Sequence, residues 1–92
     1  MSPYVQTNFT TARVRVALII EDGKIQPVWF EQTDTPSRDR VFIRSVNYTW
    51  LSQVGAYKVM HFAVSGDNAT SYELSLNMSE LTWRLGVAES SP

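Results

Sequence analysis

The sequence predicts an all-β domain, a six-stranded antiparallel meander. Apolar and polar residues alternate with period two over most of residues 12–86, turn dipeptides rich in Gly, Asp and Asn interrupt them at short intervals, and no stretch shows a helical period. Ninety-two residues suit a single domain, and 43% hydrophobic with 18% charged residues is a globular composition. The expected layout is an arm over 1–11, one β domain over 12–86 and a frayed, disordered tail over 87–92.

The first strand is expected over 12–21, with Val14, Val16, Leu18 and Ile20 on one face and Arg13 and Arg15 on the other. Asp22-Gly23 supplies the positive φ angles of a tight primed hairpin turn. Residues 25–32 then form the partner strand, Val28 and Phe30 toward the core and Trp29 opposite; Pro27, which donates nothing to a ladder, places it at an edge or a bulge. Residues 33–39, with Pro36, read as an exposed loop.

The third strand, 40–50, slips in phase, because Val41 and Ile43 share one parity while Val46, Tyr48 and Trp50 share the other. A bulge near Arg44-Ser45 would bring both sets inside and bend the strand. Residues 51–56 are expected to be a loop pivoting at Gly55. Strand 57–65 points Met60, Phe62 and Val64 inward, 65–68 turn, and 70–77 return with Tyr72, Leu74 and Leu76 inward. Residues 77–80 turn again, and Leu81, Trp83 and Leu85 finish the last strand. Six strands joined by short turns in so few residues call for a strongly bent sheet or a small SH3-like barrel, or else an open sheet paired in a dimer.

The spacing of Gly23, Ile25, Pro27 and Phe30, of Val41, Ile43, Val46 and Trp50, then His61-Phe62-x-Val64, Tyr72-Glu73-Leu74 and Trp83-x-Leu85, resembles a family of small bacterial all-β domains of unknown function. Members of that family are often encoded near translesion DNA polymerases, and the resemblance implies the fold and a DNA-related setting. It rests on core and turn residues from Arg13 to Leu85. The family's Trp-x-Gly-Arg stretch is replaced here by Glu31-Gln32-Thr33 and the polar loop to Asp39-Arg40, so no binding surface is carried over around that loop.

The chain has no cysteine, which excludes disulfides, thiolate metal sites and a cysteine nucleophile, and favours a reducing compartment. The longest apolar run, Val16-Ala17-Leu18-Ile19-Ile20, is far short of the ~18–20 residues of a membrane helix, and residues 1–11 lack a secretory pattern. A cytoplasmic protein is expected, with the four Asn-x-Ser/Thr sequons at Asn8, Asn47, Asn68 and Asn77 unused. His61, outward between Met60 and Phe62, is the lone imidazole, and carboxylates such as Asp34, Asp39, Glu21 and Asp22 sit in turns. No metal, cofactor, small-molecule substrate or catalysis is expected from these residues.

One constellation stands out on the outer face of the first three strands, where Arg13, Arg15, Trp29, Arg40, Phe42 and Arg44 share the side opposite the aliphatic core and Lys58 extends it. Exposed aromatics among basic groups suit a protein partner or a homo-oligomer contact, in which arginine stems pack over the rings. A protein-interaction or assembly module is the expected function. The alternative is a nucleic-acid-binding accessory domain in which the guanidinium groups meet phosphates and the rings stack on bases. A net charge of −1, with Glu31 and Asp39 beside the patch, weighs against that alternative and against an anionic membrane.

Overall fold

Asp22 and Gly23 both adopt positive φ, 52° and 75°, and fold β2 (Val14–Glu21) back onto β3 (Lys24–Gln32) as the dipeptide requires. The computed structural model describes residues 7–9, 13–33 and 39–88. Its remaining strands are β1 (Thr7–Phe9), β4 (Arg40–Val54), β5 (Tyr57–Gly66), β6 (Ser71–Asn77) and β7 (Thr82–Ala88). Each strand from β2 to β7 pairs antiparallel with the next, which is the expected six-stranded meander, and the sheet order is β1-β7-β6-β5-β4-β3-β2.

The sheet curls into a half-barrel because β4 belongs to both of its halves. Residues 40–42 pair with β3, whereas 43–54 pair with β5. A bulge at Arg44 sets two residues against Ser65, as the phase slip predicts, and turns the strand from one half to the other. Across the remaining seam β2 approaches β7 without pairing to it.

The core fills the concave side with Phe30, Phe62, Val64, Leu74, Leu76 and Leu85, flanked by Val14, Val16, Ile25, Val41, Ile43, Met60, Tyr72 and Trp83. Phe30 meets Tyr72 edge to face with centroids 4.9 Å apart, and Phe62 packs against Trp83 at 5.9 Å.

Several expectations are corrected by the register. A second bulge at Asn47 reverses the parity of the rest of β4, so Tyr48 and Trp50 lie opposite Ala63 and His61 on the outward side rather than in the core. Val46 pairs with the core residue Val64 but is 36% exposed. Residues 51–54 continue β4, and the expected loop shrinks to a turn at Gly55, φ 61°, and Ala56. Pro27 does sit beside a bulge, but Val28 is the extra residue of β3 and falls outside the core cluster. Ile20 keeps its predicted face yet is 67% exposed, because the hairpin tip overhangs the core. Leu81 lies in the turn at φ 58°, its N–H donating to the Asn77 carbonyl, and is exposed.

At the ends, Thr7–Phe9 of the expected arm pairs with β7, and β7 runs through Ala88 of the expected tail. The other residues of 1–12 and 89–92, and 34–38 of the polar loop, lie outside the described residues.

Gly66, buried where β5 faces the start of β4, has no room for a side chain. An added Cβ would stand 2.7 Å from Asn68 Oδ1, 2.8 Å from Val41 Cγ1 and 3.1 Å from Tyr72 Cε2. The Asn68 amide is itself tied, accepting from the Thr70 N–H and donating to the Tyr72 hydroxyl. Gly66→Ala is therefore expected to cost about 1–3 kcal/mol through overpacking, read as a lowered urea midpoint. An unchanged midpoint would mean that the Asn68 side chain yields freely.

Candidate functional site

Phe30 points into the core, so alternation turns Trp29 and Glu31 outward on β3. The register completes two rows on that face, Arg15–Glu31–Arg40 and Ala17–Trp29–Phe42. Arg15 Nε donates to Glu31 Oε1 at 2.7 Å and Arg40 Nε to Oε2 at 3.0 Å, one arginine per oxygen. The same guanidinium groups lean over Trp29, their central carbons 5.6 Å and 3.7 Å from the ring centroid. Trp29 is half-buried beneath them, whereas Phe42, next in its row, is 47% exposed.

Four of the six predicted residues, Arg15, Trp29, Arg40 and Phe42, thus form one cluster. Arg13 is exposed just before β2, where its carbonyl accepts the Thr33 N–H at 2.9 Å, and Arg44 is exposed at the first bulge. Lys58 pairs with Gln53 at the opposite end of β4 and does not extend the patch. Glu31 is the member that reading the sequence undervalued. It organises the arginines in addition to diluting their charge.

Partial burial pushes the Glu31 carboxyl up, but hydrogen bonds from Arg40 and Arg15, with their charges, outweigh this and hold it below the usual 4.5. With the arginine side chains 60% and 40% exposed, these ion pairs chiefly fix geometry.

A second polar cluster lies farther along β4 on the outward side of the sheet. Trp50, His61, Ser75 and Arg84 form one cross-strand row, with the Trp50 and His61 rings stacked at 5.0 Å and 6°. Ser52 Oγ is 2.7 Å from His61 Nε2, and His61 Nδ1 is 3.1 Å from Glu73 Oε2 and 3.0 Å from Ser75 Oγ. Ser75 Oγ also donates to Glu73 Oε2 at 3.3 Å. Both Glu73 and Ser75 are buried, and no buried polar side-chain atom among the described residues lacks a partner. Beside the ring opens a cleft of about 330 Å3, lined by Tyr57, Val59, His61, Ser75, Asn77 and Arg84 among others.

The sequence places His61 outward but not its neighbours. A register with one bulge instead of two puts Ser52 in a loop and Trp50 in the core. The available signal is shared parity, Trp50 with Ser52 and Glu73 with Ser75, each pair two residues apart on its strand. Among the described residues no three His, Cys, Asp or Glu side chains group as a metal site, and no helix is long and apolar enough to cross a membrane. Compared with protein families, curated proteins and solved structures, the chain matches none.

A carboxyl held below 4.5 on folding contributes stability that is complete above that value and lost as pH falls through the folded-state value. The domain should accordingly lose stability below pH 4.5, and Glu31→Gln should remove part of that slope. Urea midpoints measured from pH 6 down to pH 3 check this; parallel curves for the two proteins would show that Glu31 is not the group responsible.

Proposed function

We propose that this domain is a protein-interaction module whose contact surface is the outward face of β2, β3 and β4, centred on Trp29 and Phe42. The carrying observation is a clamped aromatic beside an exposed one: Trp29 stands outside the core, held beneath Arg15 and Arg40, with Phe42 next to it. Large aromatics whose conformational freedom is already spent are the side chains that dominate protein contacts. Within the cluster two arginines, Arg15 and Arg40, outnumber the one carboxylate, Glu31, so charge complementarity favours a partner with an apolar centre and an acidic rim.

The same geometry argues against nucleic acid. Arg15 and Arg40 spend a donor each on Glu31, and Arg40 at 3.7 Å occupies ring surface on which a base would stack.

The test uses a displayed library of random peptides selected against the labelled domain, followed by amide NMR titration with an enriched peptide and, separately, with a mixed-sequence single-stranded oligonucleotide. Expected are peptides with carboxylates flanking an apolar residue, shifts at Arg15, Trp29, Arg40 and Phe42, and a tenfold or greater loss of affinity in Trp29→Ala and Phe42→Ala with the fold retained. A salt-sensitive response to the oligonucleotide at these residues, without peptide binding, would replace this reading with the nucleic-acid one. Shifts confined to other surfaces would overturn both.

A further inference from the structure

A hydroxyl, an imidazole and a carboxylate stand in one hydrogen-bonded line across β4, β5 and β6. Ser52 Oγ is 2.7 Å from His61 Nε2, and His61 Nδ1 is 3.1 Å from Glu73 Oε2. Glu73, 4% exposed, offers its carboxylate to the ring and to Ser75 Oγ. An ionised carboxylate only accepts, so the neutral ring assigned from this network carries its proton on Nδ1 and turns the bare Nε2 toward Ser52. The Trp50 ring, stacked parallel to His61, fixes the plane in which Nε2 points. A serine donating to an imidazole oriented by a third group is the arrangement that activates a hydroxyl nucleophile.

The cleft that His61 borders sets the substrate class. Val54, Tyr57 and Val59 give it an apolar wall, Arg84 and Glu80 one charge of each sign, and its volume of about 330 Å3 suits a small molecule. We propose that Ser52 is a nucleophile toward small carboxylic esters with an apolar acyl chain, with His61 as general base and Glu73 as its positioning residue.

Ser52 Oγ bonds to the carbonyl carbon while its proton passes to His61 Nε2. The ester C–O bond then breaks, and the leaving alcohol takes that proton. Water attacks the acyl-serine, giving a proton to Nε2; the acid departs, and Ser52 recovers its proton. The sum is ester plus water to acid plus alcohol.

The site lies on the C-terminal half of β4, apart from Phe42, and its activity is independent of Trp29. The intact protein is treated with an alkyl fluorophosphonate, in which the serine oxygen displaces fluoride, and the adduct is located by mass spectrometry. One adduct on Ser52 is expected, absent in Ser52→Ala and formed at least 100-fold more slowly in His61→Gln. The unmodified protein should show ring 15N resonances of a protonated Nδ1 and a bare Nε2, and Glu73→Gln should shift that pattern as labelling slows. p-Nitrophenyl butyrate should be hydrolysed with a higher kcat/KM than p-nitrophenyl acetate, and Val59→Ser should reduce the preference. No adduct, an adduct elsewhere, or the opposite tautomer overturns the nucleophile. Equal turnover of the two esters overturns the apolar acyl chain. The labelling and the ring spectrum require no variant to fold.

Discussion

The edge-to-face contact between Phe30 and Tyr72 is the constraint on which the rest of the molecule depends. Phe30 stands on β3 and Tyr72 on β6, with β4 and β5 between them in the sheet. At a strand spacing of about 4.8 Å, a flat sheet would hold those rings roughly 14 Å apart. Their centroids are 4.9 Å apart, so the sheet must fold over itself, and Phe62, Leu74 and Leu85 become buried in the space enclosed. In a chain without cysteine, this closure is the work of packing alone.

Curling one face inward also decides what the other face can display. The two bulges divide β4 into segments whose outward side chains serve different neighbourhoods, Arg40 and Phe42 beside Trp29, and Trp50 and Ser52 beside His61. Each neighbourhood is organised by a poorly exposed carboxylate. Glu31 gathers two arginines over an indole, and Glu73 orients an imidazole toward a hydroxyl. The electrostatic logic is shared while the chemical outcomes differ, since one group anchors permanent cations and the other a ring able to take up a proton.

Much of this was legible in the residues. Asp22-Gly23 forces a hairpin whatever surrounds it, and the alternation of Met60, Phe62 and Val64 with that of Tyr72, Leu74 and Leu76 identifies the inner face. The slip between Ile43 and Val46 exposes the first bulge. The second was hidden because Val46, Tyr48 and Trp50 form an unbroken apolar series, and a series of one parity looks like a core-facing strand. Only pairing with β5, which sets Tyr48 opposite Ala63 and Trp50 opposite His61, reveals the reversal. That reversal is also why the outer arginine and aromatic cluster was foreseen while the line from Ser52 to Glu73 was not. The former depends on residues before the bulges, the latter on residues beyond them.

Both clusters share the single continuous backbone of β4, fifteen residues from Arg40 to Val54. Fluctuations of the molecule therefore divide into two kinds. Fraying at the overhanging tip of β2 and β3, where Ile19 and Ile20 meet solvent, leaves both clusters standing. Any opening that frees β4 from its neighbours dismantles the two together, so for amide exchange the surfaces belong to one cooperative unit although they share no side chain.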